Sequence, residues 1–513
     1  MMKNNPYTMP LRIYTPADED YAHASDVMAT ALTQGGKEQA YLHLSREELM
    51  DFLDRAAAVQ DTQTGLLKLC LDDTMPADIR VYLWYNPTYA AALAGIHAFL
   101  HYPEAFDESR IKFLQTLLNS CIRRGLTGHG YDSLAHLLEN LESFLQAGLR
   151  EFLDQGAAGA EDFRVFMLDR LQTFQQDIEN AKQNGQILQG YMNLQMTPCQ
   201  GSIERLLAMY NGKPNTVFVY GTLMQNKSAS HMMANAIFCD NAALEGYALY
   251  DLGGYPGIVP DEKGTVIGEV WFVDNETMAR LDTYENEGVL YRRTQVTISS
   301  RKGTLLANTY VYLGQVYGTP LWNKWQTSSE DPVWYAGYGS NLSPERFQCY
   351  IQGGICQENG AEYPGCTDKT LWSKRVSAVV RGKMYFGNSS SKWNGGGVAF
   401  LEPVFGQTIC QLYRITWGQF LDVRQQEGES ANWYGRVLFL QFGEDGLPVF
   451  ALTSQKLRRP NRPSDAYLGL LVRALKKEAG LSSQEIARYL WKPLCCENKL
   501  LLRDVQAKVD ALL

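Results

Sequence analysis

The sequence predicts an α+β protein: a mainly helical N-terminal region, then two successive β-rich units with flanking helices. Two observations carry this. The apolar spacing changes near residue 215 from the three-to-four-residue period of helices to short runs rich in Val, Ile, Tyr and Phe separated by Gly, Asn and Asp. One short signature also occurs twice, as Val-Phe-Val-Tyr-Gly-Thr-Leu at 217–223 and Trp-Tyr-Ala-Gly-Tyr-Gly-Ser-Asn-Leu at 334–342. Each copy is a hydrophobic strand running into a Gly turn. Each is followed downstream by an isolated carboxylate cluster, Leu-Asp-Thr-Tyr-Glu at 281–285 and Gln-Gln-Glu-Gly-Glu at 425–429. A chain of 513 residues exceeds one ordinary domain and suggests about three. The expected divisions are 1–200, 215–315, and 333–513 with C-terminal helices.

In the first region, Ser45 to Glu48 forms a capping box, Leu44 and Leu49 a hydrophobic staple, and Leu49, Phe52, Leu53 and Ala56 follow at helical spacing. Leu134, Leu138, Leu141, Leu145 and Leu149 make a second apolar stripe, and Phe163, Met167, Leu171, Phe174 and Ile178 a third. Short strands are expected around Leu11 to Tyr14 and Ile79 to Tyr85. His97 and His101 are four apart, but His-Ala-Phe-Leu-His lacks the Glu of a zinc-protease helix, so a packed helix end is expected. Gly128 to Asp132 reads as a turn before a capped helix.

In the first β-rich unit, strands are expected at 216–220, 246–250, 266–273, 291–299 and 305–313, with a short helix at 275–283. The connection at 314–332 carries Pro320, Trp322 and Trp325 and is expected to pack on a surface. Strands resume at 333–338, 376–386, 397–402, 407–415, 434–442 and 448–453. From about 464 the chain is helical again, with a capping box at Ser482 to Glu485 and a loose apolar face of Leu500, Val505, Val509 and Leu512.

Composition narrows the chemistry. A 45% hydrophobic, 20% charged chain has ample core, and a net charge of -9 argues against a nucleic-acid partner. The beginning lacks a signal-like apolar core and no window is long and apolar enough to span a membrane, so a cytoplasmic protein is expected. The ten cysteines are scattered without a Cys-x-x-Cys pair, and the adjacent Cys495 and Cys496 are the one oddity. All seven histidines lie at or before His231. The remainder therefore holds no Ser-His-Asp or Cys-His machinery of its own and no His-ligated metal, which leaves carboxylates to carry its chemistry.

A strand ending in Tyr-Gly and then turning can present successive backbone N–H groups to one point, and such a nest binds a carboxylate or a developing oxyanion. A nearby Glu would supply a proton acceptor.

At these residues the chain resembles the gamma-glutamylcyclotransferase superfamily, in two styles. Residues 215–315 look like the gamma-glutamylamine cyclotransferase branch, through Tyr220 to Leu223, Leu249 to Gly257, Val266 to Val270, Leu281 to Glu285 and Tyr291 to Arg293. Residues 333–490 look like the branch acting on gamma-glutamyl amino acids. They do so through Tyr338 to Leu342, Phe386 to Ser389, Trp393 to Gly396, Ala399 and Phe400, Gln426 to Gly428, and Pro463 and Ser464 with Tyr467. For the first 200 residues no family resemblance is drawn.

The resemblance implies two small mixed β-barrel-like cyclotransferase folds and an enzyme that releases 5-oxoproline and a free amine or amino acid from small or peptidic gamma-glutamyl substrates. It places Glu285 and Glu427 as catalytic bases, with Glu287 and Glu429 the neighbours for which each could be mistaken. Tyr220, Gly221, Thr222 and Leu223, and Tyr338, Gly339, Ser340, Asn341 and Leu342, become substrate-binding. It implies no cofactor or metal and no nucleic-acid or membrane partner, leaving the N-terminal helices to engage a protein partner. Asn286 departs from the small residue usual after the Glu, and the second unit separates its turn from its Glu by more chain (338 to 427) than the first (220 to 285). The alternatives are a non-catalytic binding or scaffold protein with one or both sites inactive, and hydrolysis by water yielding glutamate.

Overall fold

A computed structural model describes residues 40–68, 77–127, 141–154, scattered positions between 165 and 180, 200–494 and 500–513. The chain forms two compact units. One comprises the described residues up to Thr216 with Phe272–Met278 and Lys302–Leu305, the other Val217–Trp271, Ala279–Arg301 and Leu306–Leu513.

The first unit is helical: α1 (Arg46–Ala58), α2 (Ala77–His101), α3 (Glu108–Thr127), α4 (Leu149–Asp154) and α5 (Gln200–Tyr210). α1 starts where the sequence places it, because the Ser45 hydroxyl accepts from the Glu48 N–H while the Glu48 carboxylate accepts from the Ser45 N–H. Its buried face, Leu49, Phe52, Leu53 and Ala56, joins Ala91, Leu93 and Ile96 of α2 and Leu114 and Leu117 of α3 in one core. The segment expected to be a strand at Ile79 to Tyr85 is instead the first part of α2. Its β-branched and aromatic residues are continuous with the Ala-rich stretch beyond Pro87, and helix propagation overrides local strand preference. Of the second stripe, Leu141 and Leu149 are buried, and the helix breaks between them at Gly148, whose φ of +99° suits glycine. Leu171 of the third stripe is buried. The expected strand at Leu11 to Tyr14, the Gly128 to Asp132 turn, Leu134, Leu138, Phe163, Met167, Phe174, Ile178 and Cys495 and Cys496 lie outside the described residues. The rings of His97 and His101 lie 4.2 Å apart, tilted by 58°, near the end of α2, and burial, then the charge of His101, lowers the His97 pKa.

In the second unit, β1 (Asn215–Val219), β2 (Ile237–Asp251), β3 (Pro256–Val273), β4 (Tyr291–Ser300) and β5 (Gly303–Tyr312) close a barrel in the order β1-β3-β2-β4-β5. The closing pair β1 and β5 is parallel, with Val217 opposite Asn308. Between β3 and β4 lies α6 (Asn275–Tyr284), whose first turn is held by the Asp274 carboxylate accepting from the Thr277 N–H at 2.7 Å. It ends at Asn286, φ +50°, a left-handed conformation that asparagine tolerates.

The second β-rich region begins with β6 (Pro332–Gly337), α7 (Pro344–Gln352) and a two-strand ribbon of β7 (Gly354–Ile355) and β8 (Glu362–Tyr363). It continues with β9 (Lys374–Ser390), β10 (Gly396–Thr416), α8 (Trp417–Glu427), β11 (Arg436–Phe442) and β12 (Pro448–Thr453). The sheet order is β11-β12-β6-β10-β9, with outer strands β11 and β9 approaching each other. The strands expected at 397–402 and 407–415 are one strand, β10, interrupted by a register shift between Glu402 and Gln407. Helices α9 (Asp465–Ala479), α10 (Ser483–Leu494) and α11 (Leu502–Leu512) pack on it, and the Ser482 to Glu485 capping box opens α10.

The two β-rich regions share a core. Ala243 and Ile267 of the barrel cluster with Val333, Tyr335, Phe420 and Phe450 of the second sheet. Trp325 of the connection is buried, and the Trp322 ring lies 4.0 Å beneath the Arg424 guanidinium. At the same junction Arg301 pairs with the fully buried Asp240 at 2.6 Å and donates to the Glu444 carbonyl at 2.7 Å. Among the described residues no helix is long and apolar enough to cross a membrane.

Candidate active sites

Each recurrent turn opens onto a cavity, and in each a glutamate stands at the end of a short helix. The first cavity, of about 240 Å³, is lined by Tyr220, Gly221, Thr222 and Leu223 on one side and by Glu285 on another, with Tyr255, Tyr284, Tyr291 and Tyr310 between them. The turn is built tightly: a Cβ on Gly221 would lie 2.3 Å from the Pro256 ring, so only glycine fits. The Tyr220 hydroxyl donates to the Tyr310 carbonyl and fixes the turn against β5. Just past the turn, the Gln225 N–H and the Trp271 indole both donate to the buried Glu269 carboxylate, at 2.9 and 3.1 Å. Among the described residues the N–H groups of Gly221, Thr222 and Leu223 donate to no other protein group.

Glu285 follows directly on α6. Burial pushes its pKa up to about 7, and the negative end of the helix acts in the same direction. Its charge is felt by Tyr220, Tyr291 and Tyr310, whose phenols are raised first by their own burial. Tyr291 donates to the Pro256 carbonyl at 2.6 Å and Tyr310 to Asp282 at 2.8 Å, so these phenols are held in place by groups other than Glu285. Asp282 in turn pairs with Arg293 at 2.7 Å. Glu287 is exposed and accepts from the Arg293 N–H at 3.4 Å, away from the cavity lining.

The second turn is placed alike. A Cβ on Gly339 would lie 2.7 Å from the Tyr467 hydroxyl and 3.0 Å from Ala399. The Tyr338 hydroxyl donates to the Leu452 carbonyl at 2.6 Å, the counterpart of the Tyr220 bond. Glu427 is the last residue of α8, which the Thr416 and Gln419 capping box starts and Gly428, φ +92°, ends. Asn341 donates from its Nδ2 to the Glu427 carboxylate at 2.8 Å and to the Tyr335 hydroxyl at 3.0 Å, while Tyr413 donates to the Asn341 carbonyl at 2.9 Å. Burial raises the Glu427 pKa; the Arg346 charge and hydrogen bonds from Asn341 and Tyr350 oppose the rise. Glu429 lies outside and pairs with Arg424 at 2.7 Å.

Tyr338, Gly339, Ser340, Asn341 and Glu427 line a small cleft of about 30 Å³. Glu427 and Ser340 also border a larger adjoining cavity of about 700 Å³. Leu342, grouped by sequence with the turn, is in the hydrophobic core and lines neither space.

Sequence reasoning gave no role to the basic and aromatic lining of this larger cavity: Arg346, Tyr350, Lys392, Trp393 and Trp433. Arg346 is only 2% exposed, its guanidinium 5.3 to 5.4 Å from the ring centres of Tyr350, Tyr363 and Trp393. The available signal was Arg346 and Tyr350 one turn apart on α7. Nearby, ligand atoms of Cys349, Cys356 and Glu358 lie within 4.8 Å of one another.

A family model described as gamma-glutamyl cyclotransferase, AIG2-like, matches residues 217–331. The gamma-glutamylcyclotransferase family protein ytfP of Citrobacter rodentium is 42% identical over 105 residues, 20% of this chain and 88% of that protein. The gamma-L-glutamyl-butirosin B gamma-glutamyl cyclotransferase of Niallia circulans is 32% identical over 120 residues, 22% of this chain and 76% of that one. Histone deacetylase 5 of Arabidopsis thaliana is 31% identical over 254 residues, 41% of this chain, and the match spans 37% of that protein's length. Among solved structures, YkqA from Bacillus subtilis aligns over 56% of this chain and 99% of its own at 21% identity and a TM-score of 0.30. With a family model matching residues 217–331 and 42% identity across 88% of the length of ytfP, the chain belongs to the gamma-glutamylcyclotransferase family.

Proposed function

We propose that the chain is a tandem gamma-glutamyl cyclotransferase of the cytoplasm, with one site in residues 215–315 and a second in 333–513, and that its helical region of residues 1–200 serves recognition or assembly. The observation that carries this reading is a glutamate of raised pKa sharing a cavity with the glycine turn, Glu285 with Tyr220 to Leu223, repeated as Glu427 with Tyr338 to Asn341.

A gamma-glutamyl amide bears an α-amine that can reach its own γ-carbonyl and close a five-membered ring. The new N–C bond forms, the amide C–N bond breaks, and 5-oxoproline leaves with the amine. Intramolecular attack supplies roughly 7 to 11 kcal/mol of the barrier reduction and a positioned base a further factor of about 10² to 10⁴. The glutamate takes the ammonium proton and returns one to the departing nitrogen; a pKa near neutrality suits both steps. The turn's free N–H groups receive the substrate carboxylate or the oxyanion. The butirosin enzyme of Niallia circulans, named for a gamma-glutamyl substrate, supports the same class of substrate here.

The test offers a panel of gamma-glutamyl amines, amino acids and peptides to the full chain and to Glu285→Gln, Glu427→Gln and the double variant, with 5-oxoproline read by mass spectrometry. Release of glutamate would indicate hydrolysis, and folded protein without any product would overturn the reading.

A further inference from the structure

We infer that Cys349, Cys356 and Glu358 form a zinc site that fastens the β7–β8 ribbon to the end of α7. None of the three residues lines either cavity beside Glu427, so the ion takes no part in the proposed ring closure.

The ligands come from two elements. Cys349 lies in the last turn of α7, and Cys356 and Glu358 lie in the turn that joins β7 to β8. Their sulfur and carboxylate atoms are all within 4.8 Å of one another, and among the described residues no other three His, Cys, Asp or Glu side chains converge in this way. Donor atoms on a tetrahedral zinc stand roughly 3 to 4 Å apart, given Zn–S bonds of about 2.3 Å and Zn–O bonds of about 2.0 to 2.2 Å. Only small shifts are therefore needed. The Cys356 thiol already donates to the Glu358 carboxylate at 3.0 Å. The turn that carries both is held by its own backbone, where Gly360 donates to the Cys356 carbonyl at 2.8 Å and Cys356 to the Ala361 carbonyl at 2.9 Å. Two thiols with one carboxylate suit zinc rather than magnesium or calcium, which take oxygen donors alone. Binding of Zn2+ expels both thiol protons to solvent and leaves a complex of net charge -1, counting +2 for the ion and -1 for each ligand. A counter-charge is in place for it. Arg346 donates from Nη1 to the Cys356 sulfur at 3.5 Å, a bond that strengthens when the sulfur becomes a thiolate. Cys349 and Glu358 are partly exposed, which gives the ion a path in and a water molecule room to complete four ligands. The effect of the ion follows from length. β7 and β8 have two residues each, too few to hold a ribbon by themselves, and a shared ion ties their turn to the helix. Tyr363 of that ribbon accepts from Arg346 at 2.8 Å, and Arg346 lines the larger cavity, so the ion steadies a side chain that borders the second site.

The experiment takes the full chain, kept in reductant and stripped with a chelator, and titrates it with zinc chloride and separately with cobalt(II) chloride. One equivalent of zinc should bind with a Kd below about 1 μM and raise Tm by about 2 °C or more. Cobalt should produce the near-ultraviolet charge-transfer absorption of a thiolate-bound ion and the strong visible bands of four-coordination. Glu358→Gln should weaken zinc at least about tenfold, the lower end of what is lost when a group that merely orients a ligand is removed, and should keep the charge-transfer band. Cys349→Ser should abolish tight binding. Both changes fall at partly exposed positions, and a metal-free Tm equal to that of the parent shows that each variant is folded. The Cys495→Ser, Cys496→Ser double variant should bind zinc as the parent does. No uptake by the parent overturns the site, and so does uptake that neither Cys349→Ser nor Glu358→Gln weakens. A Cys349–Cys356 disulfide found by peptide mass spectrometry in the presence of reductant overturns it as well. None of these measurements depends on turnover, so they decide the zinc site whether or not 5-oxoproline is formed.

Discussion

The two cavities share a frame and differ in charge. In the barrel, Glu285 stands among tyrosines whose hydroxyls are committed elsewhere, and its pKa is raised to about 7 with burial as the cause. In the second sheet, Glu427 is raised too, but Asn341 holds its carboxylate and Arg346 opposes the rise. A turn and a helix-end glutamate can thus be repeated while the surrounding side chains set how basic each glutamate is and what enters with the substrate.

The largest effect that can break this comparison is loss of each glutamate. Glu285→Gln and Glu427→Gln should each reduce 5-oxoproline release at their own site about 10²- to 10⁴-fold. Each single variant should spare one substrate class, and loss of both classes from one change would mean that only one site works. Next comes crowding of the turns. Gly221→Ala, aimed at the rigid Pro256 ring, should destabilise by about 1 to 3 kcal/mol and depress the first activity, as seen by thermal unfolding and turnover. Gly339→Ala meets a tyrosine hydroxyl and a methyl group, and should impair the second activity alone.

Proton linkage sharpens the contrast further. The Glu285 carboxyl has a folded pKa of about 7 against an ordinary 4.5, so the stability its protonated form contributes is complete below about 4.5 and is lost as pH rises through 7. Glu285→Gln should accordingly raise Tm at pH 8 by about 2 to 4 °C and change it little at pH 4.5, measured by calorimetry. Glu427→Gln should gain less at pH 8, because it also gives up the charged partner of Asn341 and Arg346. In turnover, the acid limb of kcat/KM for the first substrate class should fall near pH 7.

The smallest effect concerns independence. Arg301→Met leaves the buried Asp240 without its guanidinium and should cost about 1 to 2 kcal/mol, discounted for the partial exposure of Arg301. If the sites work separately, both kcat values should stay within about twofold of the parent, since a change distant from either site leaves its geometry intact.

Much of the frame was legible because it depends on local chemistry. The capping boxes at Ser45 and Ser482 start helices where their side-chain bonds dictate, and most β-strand positions follow from alternation bounded by glycine. Ile79 to Tyr85 misled because β-branched and aromatic residues read locally as a strand, while the Ala-rich run beyond Pro87 continues them as helix. The two expected strands that form β10 were separated by Pro403 and Gly406, which the sheet accommodates as a register shift rather than an end. Glu285 and Glu427 could be proposed from the motif, but not their desolvation, which arises from residues far along the chain. Arg346 was invisible for the same reason. A lone arginine on an amphipathic helix reads as solvated, and only the β7–β8 ribbon, bringing in Tyr363, together with Trp393 encloses it.

The core that Ala243 and Ile267 share with Val333, Tyr335 and Phe450 bears on how the molecule comes apart. Tyr317, 79% exposed in the connection, offers a protease an accessible bond. Cleavage there should leave two fragments that co-migrate under native conditions and melt together, since neither can surrender the common apolar interior without exposing its own.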